Sequence, residues 1–594
     1  MQESQGSYNI LADRLVCWSF CAAFLVLVCF MILTGPTQGP DDIMRWVSVL
    51  DLQNGQGWFD PYQHRLGPDE GTLMHWSRIV DVPIAAIYWV SSAFLPAKMA
   101  LTATALIWPS FLAGITLWAF AATGGALGNR AGAISALVMG VFALMNSGKF
   151  DQYSFDHHGL QVLLFVYAVM FFVLRKDKPH AGLWMGFCLA LSVSIGAESL
   201  LQIGIIGLFV AIDWVLSGLA ARRRSIEFGT AIVLTLLVAV IATTSRDSFY
   251  YPGCDALTLN VVLPAGLAAA GLPFAALVAS NRALTVRATC LLVLGGSVVV
   301  VAQMFAPYCL ENPVNHMASD VRDFWLSQVT EAQNVTLVIQ RYAGETIALI
   351  CIAIFSIFAA ALFAYKTEPK IEYLLFLFLI AAGFVLFLYQ SRMMTFLTVS
   401  LVAVQAQVLR VMYRKYKVED QRSFGVLMIL FVALMSPKTG ASLEKSYKAM
   451  TAVKEETNGQ SHAAPVLSCT TENDFLPLKE LEPGLIVADF DFASYILLYT
   501  DHSVLAGNYH RNEAGIIAQI DLFRSKASEI GPRLDELGVD YIMVCKPHPR
   551  AAYWSSVSDG DGLPAELLRG DLPDGIEEIP GKPDAAFLIF RVNA

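Results

Sequence analysis

Charge is scarce in this chain. Only 15% of its 594 residues are Asp, Glu, Lys or Arg, against about 25% in an ordinary soluble domain. That deficit, beside so much apolar residue, excludes a disordered chain. Basic residues are outnumbered, 40 Lys+Arg against 50 Asp+Glu, and no basic face marks a nucleic-acid binder. The sequence has neither a Gly-rich phosphate loop nor a Ser/His/Asp elbow. Its ten Cys show no spacing that argues for a disulfide framework or a zinc site.

What the chain has instead is a 56% hydrophobic content gathered into long uninterrupted runs. A transmembrane helix needs about 20 mostly apolar residues. The first such run, Arg14 to Leu33, has no small-residue cleavage site after it and reads as retained. Further runs lie near residues 99–121, 131–147, 158–174, 181–196, 199–217, 226–243, 259–280, 287–305, 344–365, 372–389, 393–410 and 423–436. The expectation is 13 spans. With the N-terminus cytoplasmic, the basic clusters at 175–178, 222–224, 282–287, 366–370 and 410–422 all fall inside, as the positive-inside rule requires. This holds only if the short run Val82–Leu95, which contains Pro83, stays interfacial or re-entrant. The odd count puts the C-terminal part outside, together with two long loops, 36–98 and 306–343. Cys254, Cys309, Cys469 and Cys545 fall on that side, where a disulfide is allowed.

Charge is also unevenly placed. Residues 437–594 carry 14 Lys+Arg and 24 Asp+Glu, while the first 436 carry 26 of each. A neutral apolar domain, 1–436, therefore precedes a polar linker, 437–480, and an acidic soluble domain, 481–594. In that domain Leu485–Phe490, Ser503–Leu505, Tyr541–Cys545 and Ala585–Val592 read as strands. Ala493–Thr500 and Asn512–Leu537 read as helical, the second broken near Gly531-Pro532. The alternation predicts a small α/β layer.

In a membrane protein the ionisable residues at span ends are the informative ones. Asp41-Asp42 follows the first span; adjacent carboxylates suit a divalent cation or start a helix. Asp156-His157-His158 sits between the third and fourth spans; carboxylate plus imidazole suits Mn, Zn or Fe, and a polar helix cap is the other reading. Glu331, in Val329–Gln333, is by itself a solvated loop acid. Arg392, between two apolar spans, either binds a phosphate bidentately or snorkels to the interface. Glu198 lies at an outer span end without an assigned role.

Taken in order, these elements resemble the catalytic subunit of oligosaccharyltransferase, a membrane glycosyltransferase of the GT-C class, in its archaeal or bacterial form. The segment Gly57-Trp58-Phe59-Asp60-Pro61-Tyr62 resembles that family's first external loop, Asp156-His157-His158 its Asp-x-His motif, and Val329–Gln333 its short motif ending in Glu. The resemblance implies about 13 transmembrane helices and an extracytoplasmic C-terminal α/β domain. It also implies a divalent metal (Mn or Mg) held by Asp42, Asp156 and His158, and donor phosphate binding by Arg392. Asp41, Asp42 and Glu331 would position and deprotonate the acceptor, helped by Asp491, Tyr495, His510 and Arg511. The implied partners are membrane lipid, a polyprenyl-phosphate-linked sugar donor and a protein, lipid or glycan acceptor on the periplasmic face of a bacterial inner membrane. One departure matters: the family's Trp-Trp-Asp-Tyr-Gly, which reads the acceptor Ser or Thr, is replaced by Val487-Ala488-Asp489-Phe490-Asp491, which puts an Asn acceptor in doubt. Transfer of a single sugar from a polyprenyl monophosphate is the alternative, and transport of a lipid-linked sugar is the alternative outside enzymes.

Overall fold

The computed structural model describes residues 8–36, 38–68, 71–367, 370–452, 469–546, 550–558, 562–582 and 585–593. They form two compact units. One comprises 1–37, 77–312 and 330–457; the other comprises 38–76, 313–329 and 458–594.

The first unit is helical. Asp13 caps its opening helix, Arg14–Thr34, by accepting the backbone N–H groups of Leu15 and Val16. Among the described residues, nine helices are long and apolar enough to cross a bilayer, or ten if the pair Ser423–Leu434 and Pro437–Lys448, bent by 82°, counts as one. Each of the 13 expected runs does lie in a helix. The difference in number comes from length and continuity. Residues 99–121 and 131–147 share one 51-residue helical run, Ala97–Ser147, broken where Gly128 and Asn129 leave helical dihedrals. His158–Val173 and Ala181–Ile195 have only 16 and 15 residues. The run from Val82 belongs to a 15-residue helix, Arg78–Ser92, too short to cross. Large apolar side chains stand outward on these helices, among them Leu33, Leu292 and Phe358 at 70–85% exposure, as a lipid-facing surface requires. A disulfide joins Cys254 to Cys309.

The second unit is an α/β layer. A short hairpin pairs β1 (Tyr62–Gln63) with β2 (Thr72–Leu73). The main sheet has β3 (Leu485–Ala488), β4 (Ser503–Val504), β5 (Tyr541–Cys545), β6 (Ile576–Glu578) and β7 (Phe587–Val592) in the order β4-β3-β5-β7-β6. β3 runs parallel to β4 and β5, while β7 is antiparallel to β5 and β6. Side chains alternate across the sheet, as the strand period of two dictates. Ile486, Ala488, Tyr541, Met543 and Ile589 enter one core; Val487, Ile542, Val544 and Phe590 enter the other.

Two expected boundaries move. The helix Pro40–Gln53, placed by the sequence in a loop of the membrane domain, packs Ile43, Met44 and Val47 into the first of these cores. Val321 and Trp325, from the other long loop, enter the second core. The expected linker 437–480 is also largely structured. Pro437–Ala452 is a helix of the first unit, and Phe475 and Leu478 are fully buried in the second. Cys469 is bonded to Cys545 of β5. Residues 453–468 lie outside the described residues. Sparse apolar residues hid these elements, because three or four per segment suffice when a sheet face supplies the rest of the core.

Candidate functional site

In the first unit the chain leaves the helix Ala97–Ser147 through Gly148, whose φ of +64° favours a residue without Cβ. The loop that follows is held by Phe150 and Phe155, 2% and 1% exposed, and by the Tyr153 N–H donating to the Ala105 carbonyl. Its last residues present Asp156 and His157 just before the helix His158–Val173. Asp156 Oδ1 accepts the backbone N–H of His157 at 2.7 Å.

The carboxylate is instead surrounded by nitrogen. His157 Nδ1 lies 2.6 Å from Oδ1, His158 Nε2 lies 3.4 Å from Oδ2, and Lys149 Nζ lies 3.8 Å from Oδ2. Burial pushes the Asp156 carboxyl up, but His157, His158 and Lys149 overcome it and hold the group well below the usual carboxylate range. Burial opposes the charged form of His157 as well, yet Asp156 and Glu198 raise it to about 9.

Lys149 reaches a second carboxylate, Glu331, at 3.5 Å. Glu331 sits on a single turn, Thr330–Ala332. That turn is sewn to the turn bearing Arg392: Ser391 N–H donates to the Gln333 carbonyl and Ser391 Oγ to the Thr330 carbonyl, both at 2.9 Å. Lys149 lowers the Glu331 carboxyl most; burial works against it, and His158 and Arg392 add to the lowering. Arg392 Nε is buried with no hydrogen-bond partner among the described residues. The structure thus gathers Asp156, His158, Glu331 and Arg392, from three distant segments, into one neighbourhood.

The donor set tolerates a cation. Asp156, His157 and His158 each offer one ligand atom within 4.8 Å of the others. His157 spends Nε2 on Glu198, at 3.2 Å, which leaves Asp156 and His158 as ligands. One oxygen and one imidazole nitrogen favour Mn, Zn or Fe over Ca or Mg.

The second unit holds the other expected residues. Asp42 stands at the third position of its helix and its Oδ2 accepts the N–H of Gly39 at 3.1 Å, so the helix-start reading of Asp42 is realised. Arg45, fully buried, stacks 4.5 Å over Trp76, and Tyr509 meets Trp76 edge-on. Tyr509 also donates to the Pro40 carbonyl. Asp491 accepts from Asn508, whose own carbonyl accepts from Trp325 Nε1. Burial pushes the Tyr495 hydroxyl up to about 12, with Tyr499, Asp491 and Asp42 adding to it, so Tyr495, Asp491 and Asp42 share one field. The His510 ring lies 4.8 Å from that of His75, and Arg511 reaches the Met74 carbonyl. Val487, Ala488 and Phe490 are buried in the sheet.

Two residues of the first neighbourhood escaped the sequence reading: Lys149 and Gln161. Lys149 carried a signal, since it is a lone cation in the short segment between two apolar runs. Gln161, inside an apolar helix, carried none.

By sequence, the chain matches no family model and no curated protein. By structure it is similar to the oligosaccharyltransferase of Archaeoglobus fulgidus in its apo form, with a TM-score of 0.65 at 16% identity over 93% of this chain and 72% of that one. The same enzyme, AglB, in complex with an inhibitory peptide and a dolichol-phosphate gives 0.62 at 14% identity, covering 97% and 74%; it has also been solved with Zn and sulfate. The mycobacterial arabinofuranosyltransferase AftD gives 0.50 at 12% identity, covering 99% of this chain and 42% of AftD. These likenesses establish the fold as that of an oligosaccharyltransferase-like GT-C membrane protein.

Proposed function

We propose that this chain is a membrane glycosyltransferase that moves a glycan from a polyprenyl (di)phosphate donor to an acceptor on the periplasmic face of a bacterial inner membrane. The observation that carries the reading is the convergence of Asp156, His158, Glu331 and Arg392 within one unit. Arg392 would hold the donor phosphate with its unpartnered Nε, a fixed cation that needs no reorganisation during reaction. Asp156 and His158 would hold the divalent cation, which supplies Lewis acidity to the leaving phosphate when bound. Glu331, kept ionised by Lys149, would take the acceptor proton. In the second unit Asp41 and Asp42, with Asp491, Tyr495, His510 and Arg511, are proposed for the acceptor. The thirteen runs, each in a helix, would make thirteen crossings. The two disulfides support an oxidising compartment for residues 254, 309, 469 and 545.

One observation favours a second reading, transfer of a single sugar from a polyprenyl monophosphate to a glycan or lipid. Val487 and Ala488, which the sequence resemblance sets against the sequon-reading tryptophans, are both buried inside β3. Purified chain incubated with lipid-linked donors separates the two readings by the mass added to the acceptor: a preassembled block or one sugar. Absence of any transfer with either donor class, Mn2+ present, would sink both.

A further inference from the structure

Asp156 stands in a closed ring of five side chains. From Asp156 Oδ1 the path runs to His157 Nδ1 at 2.6 Å and from His157 Nε2 to Glu198 Oε1 at 3.2 Å. Glu198 Oε2 meets Gln161 Nε2 at 3.2 Å, Gln161 Oε1 meets His158 Nδ1 at 3.2 Å, and His158 Nε2 returns to Asp156 Oδ2 at 3.4 Å. Gln161 is fully buried, three residues after His158 on the same helix face. Glu198 comes from the turn between the helices Ala181–Ile195 and Leu200–Ser217.

The ring fixes one proton position at its closing edge. Gln161 Nε2 faces two acceptors, Glu198 Oε2 and the Gly196 carbonyl at 3.0 Å. Both are acceptor-only groups, so the amide cannot be turned round, and the carbonyl Oε1 is the atom that faces His158. A carbonyl accepts, so His158 Nδ1 carries the hydrogen. In the neutral ring Nε2 then bears the lone pair. That lone pair faces a carboxylate oxygen across 3.4 Å, longer than the about 2.8 Å of a charge-assisted N–H···O bond. A second proton on Nε2, or a cation held between the two atoms, satisfies that edge. Gly196 belongs to the same device: a methyl there would fall 2.5 Å from Glu198 Oε2 and 3.1 Å from Gln161 Nε2.

We propose that Gln161 and Glu198 are positioning residues that lock His158 in the tautomer whose Nε2 lone pair faces Asp156, so that the two present a ready ligand pair to one divalent cation. This rests on the metal-dependent reading above and extends it to residues that touch neither ion nor substrate. Hydrogen bonds behind a ligating imidazole orient it, and their loss weakens metal binding by about 10- to 100-fold.

The test uses the full chain in detergent, with Mn2+ as the probe and free Mn2+ read by electron paramagnetic resonance. Gln161→Leu and Glu198→Ala should weaken Mn2+ binding by about 10- to 100-fold. Glu198→Gln, which keeps an acceptor for His157 and fills the same space, should lose less than Glu198→Ala. With Co2+ as a spectroscopic probe, the visible bands of Gln161→Leu should move toward those of His158→Ala, a signature that loss of stability alone does not produce. If Gln161→Leu and Glu198→Gln fold, bind Mn2+ as the wild type does and keep its Co2+ bands, the inference falls and the metal reading survives. A wild type that takes up no Mn2+ sinks both.

Discussion

The helix His158–Val173 ends at each terminus in a buried ionic cluster, and the two clusters are built differently. Just past its C-terminus, Arg175 pairs with Glu372 at 2.5 Å and Asp213 at 3.3 Å, while Arg224 pairs with Asp213 at 2.9 Å. The Arg175 guanidinium also lies over the Phe172 ring. Two cations meet two carboxylates, and every contact sets a donor against an acceptor. At the N-terminus Asp156 meets His157, Lys149 and His158, and Gln161 engages the Nδ1 of that last ring. Both clusters have the sign that the helix dipole favours, anion at the N-terminus and cation at the C-terminus. The C-terminal set pairs carboxylates with guanidinium groups, whereas the N-terminal set adds an imidazole that can share a cation with its carboxylate, and that difference separates a staple from a site.

The comparison can be broken by mutation. The largest expected effect is on turnover: Asp156→Ala should lower glycosyl transfer by about 10²- to 10³-fold in the folded variant, the scale of losing one preorganised electrostatic contact. A normal rate in that variant would make the N-terminal cluster a staple like the other. Next comes stability. Arg175→Met leaves Asp213 to Arg224 and strands Glu372 in the interior, where an uncompensated buried charge costs about 3–5 kcal/mol. Thermal unfolding followed by circular dichroism should register that loss, and Mn2+ affinity of the folded variant should stay at the wild-type value. Loss of Mn2+ binding with full stability would reverse the two assignments.

A third cluster, nearer the surface, should respond more weakly and to pH. Asp13 accepts from Arg130 and Tyr8, both at 2.6 Å, and these bonds lower its carboxyl to about 2. A depressed carboxyl stabilises above its unfolded value and loses that contribution as pH falls through the folded one. The melting temperature of the wild type should therefore exceed that of Asp13→Asn at pH 5–7, and the gap should close between about pH 4 and pH 2. A gap that persists at pH 2 would place the stabilisation elsewhere. The smallest effect belongs to Arg322→Ala, which removes a pair with Asp323 whose side chains are 44% and 56% exposed; solvent screens such a pair, and no change in melting should be measurable.

Much of the fold was legible because apolar runs need no partner to be recognised. Every expected run lies in a helix, and the strands at 485, 503, 541 and 587 fall within a few residues of where alternation put them. What alternation missed are the short elements Arg550–Val557, Leu563–Arg569 and Ile576–Glu578, too brief to show a period. The site was legible in part. Asp156, His158, Glu331 and Arg392 stood out as charges at the ends of apolar runs. Gln161 did not, since a lone amide within a helix gains meaning only from what faces it. The loops 36–98 and 306–343 were legible as long, but not as the source of 38–76 and 313–329 of the α/β unit.

Composition and the run-lengths of apolar residues pointed to a membrane protein with an acidic C-terminal part, because hydration free energy scales with apolar area. Local order decided which runs become helices. Only the tertiary structure decided which few polar groups act together. Asp156 and Glu331 are 175 residues apart in sequence and are bridged by one ammonium group. The tautomer of His158 follows from an amide whose orientation is set by two acceptors in another turn. Hydrogen bonds are short and directional, so their pattern exists only once the helices have packed.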